Sequence, residues 1–454
     1  MSSKKHSLKY KSIKMKKIFQ IIILSIGIFL QAQCFDEVAV SGEHVLVIKN
    51  DGTLWGWGSN ISGTLGLNST TSQYHTPQLI SNDTDWVKVV NGGSTSWAIK
   101  SDGTLWSCGD GQFGALGFGD QNNVYVLTQV GNDNDWFNVS SASHTITTKS
   151  DGTLWGWGSN VYGQLNINTN SIELNPIQIS TDADWKQVVC INQQTLAIKT
   201  DGTLWACGYN SYGQLGDGTT TNRLIFVQIG TDTDWDFVTG YDNHSIALKT
   251  DGTIWGWGSN ENNVLGLPSS ISQVNTPTQI NTGNDWADVS SGFFITTAIK
   301  TDGTLWENDE NGFYQVGTDT DWEFVKSGFN FSFMLKTNGT LWGIGGNNKG
   351  QLGIGNGVNE VSMPIQLNCS SLGIEEITNK NKFSLYPNPT NGMLFIKNNS
   401  YDQIDKIKIA DLSGKIIYET YNVSEIDLSN FQIGIYILIV TSSNEISKFK
   451  VVRK

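Results

Sequence analysis

Three histidines recur at a regular interval, and they are the first residues whose type and spacing suggest chemistry. His44, His144 and His244 each stand seven residues before an Asp-Gly pair. Imidazole nitrogens are common zinc ligands, so a cluster of them would predict a metal site. The same position in the other repeats holds residues of other kinds: Thr95, Gln194, Ile295 and Phe331. We therefore predict no metal site, and expect each histidine to begin a strand and make a local hydrogen bond.

Short acidic motifs of the form Asp-x-Asp-Trp also recur, for example at Asp83–Trp86 and Asp182–Trp185. Closely spaced carboxylates are calcium ligands. No glycine follows them as it does in a calcium loop, and aspartates that cap the amides of their own turn explain the motif as well. We favour the turn. No Ser-His-Asp, Cys-His or phosphate-binding arrangement stands out, so we predict no catalytic residue, no metal and no cofactor.

The pentapeptide Asp-Gly-Thr-Leu-Trp is the unit around which these residues are arranged. It occurs seven times, twice with one substitution, and begins at Asp51, Asp102, Asp151, Asp201, Asp251, Asp302 and Asn338. The first six copies start 49 to 51 residues apart, and the last follows after 36. A fixed period of this size is typical of repeat architectures in which each repeat is one supersecondary unit.

One repeat reads as a four-stranded meander. Residues 184–229 contain four short apolar runs separated by turn residues, without a helical period. The Asp-Gly pair predicts a type I′ hairpin, in which both central residues have positive φ. Four-stranded sheets repeated around an axis form a β-propeller. We predict an all-β fold with a seven-bladed propeller over 34–370, whose sixth blade keeps four strands but has a notch because it lacks the Gly-Gln-Leu-Gly segment.

The two ends of the repeat region align with different parts of one unit. Phe35 takes the place of Trp185, so we expect the first and last segments to complete one sheet and close the ring. The same alignment puts Cys34 and Cys369 at the first and fourth positions of one turn, where Cα atoms are under about 7 Å apart. That distance suits a disulfide. We hypothesise a Cys34–Cys369 bridge and assign the remaining cysteines, Cys108, Cys190 and Cys207, to the core.

The repeats resemble those of the regulator of chromosome condensation family. The resemblance is carried by Gly42-Glu43-His44, by Ala247–Gly252 and by the Tyr-Gly-Gln-Leu-Gly segment Tyr212–Gly216. It covers 34–370 and implies a seven-bladed propeller. The nucleotide-exchange role of nuclear members is not expected here, because an exported chain does not meet their GTPase.

The two termini predict export. Residues 1–33 have a lysine-rich start and an apolar core, the pattern of a signal peptide, with a retained anchor or a lipid on Cys34 as alternatives. After a polar linker over 371–382, residues 383–454 resemble the C-terminal sorting domain of the type IX secretion system. The resemblance implies a small β-sandwich, contact with the secretion machinery, and a secreted or outer-membrane surface location in a Gram-negative bacterium.

The charge distribution argues against nucleic acid as a partner. The formal net charge is −13, although residues 1–33 hold seven lysines and no acidic residue. Binding to nucleic acid depends on Lys and Arg that neutralise phosphates. Most basic residues of the propeller region occupy one repeat position, which indicates a structural set: Lys49, Lys100, Lys149, Lys199, Lys249, Lys300 and Lys336.

Aromatic residues near the predicted turn between the first and second strands mark a candidate binding face. They are Trp97, Tyr241, Phe293, Phe294, Phe329 and Phe331. Exposed aromatics gathered on loops are typical of partner sites, but the same residues could cap the inner core. We predict a monomeric, non-enzymatic propeller that binds an unknown protein or glycan. An extracellular polysaccharide-acting enzyme and an adhesion protein without a specific ligand are the alternatives.

Overall fold

The computed structural model describes residues 35–367, 383–386, 390–398, 404–410, 416–421, 423–432, 434–442 and 445–453. The predicted signal peptide, both Cys34 and Cys369, and the predicted linker over 371–382 lie outside these residues. The chain divides into two compact units, Met1–Gly373 and Ile374–Lys454, which are described separately. In the part of the chain that is described, no helix has the length and apolar character needed to cross a membrane.

The first unit consists of seven four-stranded antiparallel sheets, each built from four consecutive strands. The strands of the first four sheets are β1 (Phe35–Ser41), β2 (His44–Lys49), β3 (Leu54–Ser59), β4 (Gln73–Ser81), β5 (Trp86–Gly92), β6 (Thr95–Lys100), β7 (Leu105–Gly109), β8 (Val124–Gln129), β9 (Trp136–Ser141), β10 (His144–Lys149), β11 (Leu154–Gly158), β12 (Glu173–Ser180), β13 (Trp185–Ile191), β14 (Gln194–Lys199), β15 (Leu204–Gly208) and β16 (Arg223–Gln228).

The strands of the last three sheets are β17 (Trp235–Tyr241), β18 (His244–Lys249), β19 (Ile254–Ser259), β20 (Gln273–Gln279), β21 (Trp286–Ser291), β22 (Thr296–Lys300), β23 (Leu305–Asp309), β24 (Gly312–Gln315), β25 (Trp322–Ser327), β26 (Phe331–Lys336), β27 (Leu341–Gly346) and β28 (Glu360–Gln366). Single turns of 3-10 helix lie between the third and fourth strands of three blades, at Ile61–Gly63, Gln112–Gly114 and Glu261–Asn263. We call the four strands of each blade a, b, c and d in chain order.

The Asp-Gly hairpins form between strands b and c as predicted, but their turn type differs from the prediction. Gly52 has φ +82° and donates to the Lys49 carbonyl at 2.8 Å, whereas Asp51 is not in the left-handed region. The Asp51 carboxylate instead accepts from the Thr53 amide at 3.0 Å, and this local cap holds the aspartate at negative φ. Thr53 Oγ1 then accepts from the Trp55 indole at 2.9 Å. The other six hairpins repeat this pattern.

The ring closes by packing of the first blade against the seventh. Strand a of every blade contacts strand a of the next one, and β25 contacts β1. Across this junction Trp57 Nε1 donates to the Gln351 carbonyl at 2.9 Å, and the Phe329 amide donates to the Gly42 carbonyl at 2.8 Å. The expectation of one sheet shared by both ends was wrong. The Asp-x-Asp-Trp turn joins strand d to the next strand a, so the repeat region begins and ends with complete blades.

The sixth blade keeps four strands, as predicted. Its strands β23 and β24 are joined by a tight hairpin in which Asp309 pairs with Gly312. In other blades a longer excursion separates strands c and d and reaches the following blade. For example, the Gln214 carbonyl of the fourth blade accepts from the Trp257 indole of the fifth at 2.9 Å. The notch therefore removes this forward contact toward the seventh blade.

The second unit is a small β-sandwich. Its strands are β29 (Phe383–Tyr386), β30 (Met393–Asn398), β31 (Lys406–Ala410), β32 (Ile416–Tyr421), β33 (Glu425–Asp427), β34 (Gly434–Ser442) and β35 (Glu445–Arg453). One sheet has the order β29-β30-β33 and the other β32-β31-β34-β35. Side chains from both sheets, such as Leu394, Ile407 and Leu438, share one buried core. The alternating apolar pattern of these strands positions that core.

Candidate functional site

The loops between strands a and b meet around the axis of the ring and enclose a cavity of about 400 Å³. We call this opening the axial mouth. Each blade contributes at least one lining residue, in blade order Ser41, Ser94, Ser143, Asn192, Asp242, Phe293 and Phe329. Gln112 and Phe113 from the excursion of the second blade also line the cavity. Its volume lies within the usual range for ligand sites.

Four of the predicted aromatic residues come together at one side of the axial mouth. Phe293 and Phe329 stack with ring centroids 4.8 Å apart, and Phe294 contacts both rings edge-on at 4.6 and 5.3 Å. Tyr241 meets Phe293 edge-on at 6.0 Å. Phe294 is 46% exposed and the other three are partly buried. Because these rings come from three adjacent blades, they form a continuous aromatic wall.

The other two predicted aromatics do not belong to this surface. Trp97 is 0% exposed and packs against Trp157 at 5.7 Å, and Phe331 is 1% exposed in the core between the seventh and first blades. Both point between blades because strand b is covered on its two faces by neighbouring sheets. They are core residues, and the prediction that they line a binding face was wrong.

Hydrogen bonds between neighbouring blades join the loops of the axial mouth. The Asn192 carbonyl accepts from Ser143 Oγ at 2.6 Å, and Asn192 Nδ2 donates to Asp242 Oδ1 at 2.6 Å. On the aromatic side the Phe293 amide donates to the Phe329 carbonyl at 3.2 Å. Asn192 and Asp242 have φ of +39° and +48°. This left-handed backbone conformation is uncommon for residues other than glycine and is enriched in asparagine and aspartate, so it restricts which residues can form these turns. The mouth is therefore held in shape by the neighbouring blades.

Carboxylates give the axial mouth a negative character. Asp242 follows Tyr241 directly, and both Asp242 oxygens accept side-chain amides, from Asn192 and from Asn243 at 2.8 Å. Burial raises the pKa of Asp242, the charge of Glu261 adds to the rise, and the hydrogen bond from Asn192 opposes it. Burial also raises the pKa of Tyr241 to about 12, with the charges of Asp242 and Glu43 adding to it.

Sequence reasoning missed the polar half of this site. Asn192 and Asp242 occupy the same loop position in adjacent blades, and Asp110, Gln112 and Phe113 come from another segment of the repeat. Their convergence depends on the ring bringing seven loops to one axis. The burial of Trp97 could have been predicted from the sequence, because the same position of strand b in most other blades is aliphatic or aromatic: Leu46, Ile146, Leu196, Ile246 and Phe333.

The three spaced histidines do not line the main cavity and are buried between blades. His44 Nε2 is 2.9 Å from Ser96 Oγ of the second blade, and His144 Nε2 is 2.7 Å from Thr195 Oγ1 of the fourth. These bonds link neighbouring repeats, so the predicted local hydrogen bond was wrong. Burial lowers the pKa of His44 to about 4 and that of His244 to about 3. Within the described ranges no group of three His, Cys, Asp or Glu residues is placed to hold a metal ion.

The Asp-x-Asp motif lies on the opposite face and pairs with the repeat lysine. Lys100 Nζ is 2.7 Å from Asp83 Oδ2 and 3.2 Å from Asp85 Oδ1, and it lies 4.7 Å from the Trp86 ring centroid. Pairs with two aspartates recur at Lys149, Lys199, Lys249 and Lys336. The motif thus neutralises a lysine that is held against tryptophan, a role that neither of the two interpretations from the sequence included.

The cysteines that the structure describes are core residues. Cys108 and Cys207 are 0% exposed, and Cys190 is also buried. The predicted Cys34–Cys369 bridge lies outside the described residues and stays a prediction. Its nearest described neighbours, Phe35 and Leu367, pack into one hydrophobic cluster at the junction of the first and seventh blades.

The family models match both units of the chain. The model described as RCC1-like domain matches residues 26–326, and the regulator of chromosome condensation (RCC1) repeat matches 323–351. The model described as secretion system C-terminal sorting domain matches 384–454. Such a sorting domain indicates type IX secretion and an extracellular or cell-surface location.

Curated relatives match only about a fifth of the chain. An X-linked retinitis pigmentosa GTPase regulator homolog of Caenorhabditis elegans is 37% identical over 20% of this chain and 6% of its own length. The ultraviolet-B receptor UVR8 of Arabidopsis thaliana is 30% identical over 21% of this chain and 22% of its own length. The matched segment thus spans less than a quarter of either relative.

Solved structures share the fold at low identity. Human WBSCR16 has a TM-score of 0.61 at 19% identity, over 69% of this chain and 92% of its own. Prp20p from Saccharomyces cerevisiae has a TM-score of 0.52 at 17% identity, over 77% of this chain and 78% of its own. Seven sheets in a ring, the registered repeats and the match over 26–326 agree: the chain belongs to the RCC1-like domain family and carries a secretion system C-terminal sorting domain.

Proposed function

We propose that this protein is a non-enzymatic secreted or cell-surface propeller that binds a protein or glycan partner at its axial mouth. The observation that carries the proposal is the aromatic wall of Tyr241, Phe293, Phe294 and Phe329 beside a cavity lined by all seven blades. Partly exposed aromatic rings around a concave site are typical of binding surfaces, where few residues supply most of the affinity. The sorting domain brings this surface outside the cell.

The polysaccharide-acting enzyme remains the alternative, because two carboxylates, Asp110 and Asp242, line the same cavity. Glycoside hydrolysis uses such a pair as acid and base or nucleophile. Asp242, however, accepts two side-chain amide hydrogen bonds, which fix it as an acceptor. Asp110 Oδ1 accepts from the Gln112 amide at 2.9 Å, as a local cap does. These hydrogen bonds favour a role for the two aspartates in ligand binding over a role in proton transfer.

The test uses the full-length secreted chain, a surface-protein extract and a glycan array. Phe294→Ser removes the most exposed ring of the wall, and Phe137→Ser is the matched control because Phe137 is 67% exposed at the start of β9, on the opposite face. We expect a ligand that both the parent chain and the Phe137 variant retain, and that the Phe294 variant binds at least about tenfold more weakly. Equal retention of the ligand by all three chains would show that the axial mouth is not the binding site. Release of reducing sugar by the parent chain, abolished by Asp242→Asn, would instead establish the polysaccharide-acting enzyme.

A further inference from the structure

The axial mouth and the cavity next to it contain carboxylates without a basic neighbour. None of the residues that line the main cavity or the adjoining cavity of about 240 Å³ is Lys or Arg. Among the described residues, the lining carboxylates Glu43, Asp110 and Asp242 form no ion pair. The negative charge at this opening is therefore not neutralised within the propeller.

No lysine or arginine of the ring lines either cavity, and Lys88 and Lys326, on β5 and β25, face Glu37 instead. The repeat lysines, represented by Lys100, are held on the opposite face by Asp83 and Asp85. Arg223 is paired with Asp217 on the outer side of the fourth blade. Lys349 belongs to the excursion of the seventh blade and lines neither cavity. The carboxylates that line the two cavities consequently have no lysine or arginine partner among the described residues.

The aromatic wall adds a second attraction for positive charge. Ring faces carry negative electrostatic potential, so an ammonium or guanidinium group is drawn to them. Tyr241 and Phe293 lie beside Asp242, which lines the same cavity. A cation entering here would contact the rings and also donate a charge-assisted hydrogen bond to the carboxylate. A neutral ligand could contact the rings and donate a hydrogen bond to Asp242, but it would gain neither the attraction of a cation to the ring faces nor that of opposite charges.

The mouth is already formed before a ligand arrives. Asn192 ties the loops of the third, fourth and fifth blades together through Ser143 and Asp242. The Phe293–Phe329 and Phe329–Gly42 backbone hydrogen bonds join the sixth, seventh and first blades. Binding to a preorganised site loses little conformational entropy on the protein side. The cavity of about 400 Å³ has room for one long side chain and part of its backbone.

We propose that the axial mouth receives a lysine or arginine side chain from a partner protein, with Asp242 as its hydrogen-bond acceptor and Tyr241, Phe293 and Phe329 as its aromatic wall. This inference rests on the proposed function and narrows its partner to a basic polypeptide segment. Charge complementarity selects that occupant over a neutral glycan. Asn192 acts as a positioning residue because it holds one Asp242 oxygen at 2.6 Å.

The experiment measures binding of fluorescein-labelled pentalysine, pentaarginine and pentaglutamate to the full-length chain at 150 mM salt by fluorescence anisotropy. Asp242→Asn removes the charge and keeps the shape. Glu323→Gln is the charge-matched control, because Glu323 is exposed at the start of β25 on the opposite face. We expect both basic peptides to bind, pentaglutamate not to bind, and Asp242→Asn to weaken binding at least about tenfold while Glu323→Gln leaves it unchanged.

Three outcomes would overturn the inference. Equal weakening by Asp242→Asn and Glu323→Gln would show that the peptides respond to net charge and not to the mouth. Absence of basic-peptide binding, together with an array glycan or extract protein that the parent retains and Phe294→Ser loses, would reject the cationic partner and leave the proposed function standing. If neither peptides nor such a ligand depend on Asp242 or Phe294, the inference and the proposed function both fail.

Discussion

Single side chains link neighbouring blades, and the spaced histidines show how. His44 and His144 reach hydroxyl groups about one repeat further along the chain, at Ser96 and Thr195. Both imidazoles are completely buried, which favours the neutral form. Contacts between repeats thereby explain two of the three histidines that look like a metal motif, whereas Nε2 of the third, His244, has no hydrogen-bond partner among the described residues.

This burial predicts an acid sensitivity of the propeller. The pKa of His44 falls from 6.5 to about 4 on folding, so between these values the unfolded chain binds more protons than the folded one. The stability contribution is therefore present above about pH 6.5 and is lost as the pH falls toward 4. Gln194 occupies the same position in β14, which makes glutamine a compatible replacement. His44→Gln should reduce the loss of unfolding free energy between pH 7 and 5 by about 2 kcal/mol.

Tryptophan fluorescence can measure this, because all 17 tryptophans lie in the propeller. Urea unfolding of parent and variant at both pH values gives the comparison. Glu37 and Asp288, whose pKa burial raises, contribute the opposite slope, but equally in both chains. Identical pH dependence in the two chains would mean that His44 takes up its proton while folded.

Residue-level prediction from the sequence succeeded where a contact is local. The Asp-Gly turn and the threonine amide that its aspartate caps lie within three residues, and the hairpins form where the sequence pattern predicts them. Prediction failed for Trp97 and the histidines because their partners lie about 50 to 60 residues away. The polar side of the mouth, with Asn192 and Asp242, required the ring geometry itself.

At the scale of elements, the excursion between strands c and d links every blade except the sixth to the following blade. Trp57 of β3 donates to the Gln351 carbonyl in the excursion of the seventh blade, and Trp157 and Trp257 make the equivalent bond to Ala115 and Gln214. A Cβ on Gly353, which has φ +68°, would lie 2.9 Å from the Trp57 indole nitrogen. The second glycine of the Gly-Gln-Leu-Gly segment thus leaves space for the tryptophan of the next blade.

We predict that Trp57→Phe weakens the closing junction specifically. The change leaves the Gln351 carbonyl without its donor and opens a gap, which together should cost roughly 2–4 kcal/mol. Trp55→Phe is the matched control, because its indole bonds only to Thr53 in the same blade. Hydrogen exchange should rise in the seventh-blade excursion, Asn347–Gly353, in the first variant alone. Similar exchange in both variants would show that the excursion does not depend on Trp57.

At the scale of the whole molecule, the first unit is a ring closed without a shared strand, so the ends of that ring gain from a covalent link. Phe35 and Leu367 pack in one cluster and lie one and two residues, respectively, from the predicted cysteines. We predict that the secreted chain has a Cys34–Cys369 disulfide, and that Cys369→Ser lowers the urea midpoint of the propeller by an amount equivalent to about 4 kcal/mol. Intact mass with and without reductant checks the bond. A free or acylated Cys34 would contradict it.

The fold as a whole was predictable because the repeat occurs seven times with the same order of motifs. Even the sixth blade has four strands, although its sequence is shorter. Ring closure was predicted incorrectly because the repeat can be divided at any strand, and only the strand pairing within the first and seventh sheets shows where a blade begins. The binding partner cannot be inferred from the repeats, since they encode blade packing and the mouth depends on the loops between them.

Photo-crosslinking on the cell surface tests the central claim, that the axial mouth is the binding site, most directly. A photoreactive phenylalanine derivative replaces Phe294, which is 46% exposed at the mouth, or Phe137, which is 67% exposed on the opposite face. We expect a discrete crosslinked partner from position 294 and none from position 137. A partner captured from position 137 alone, or equally from both, would contradict the account.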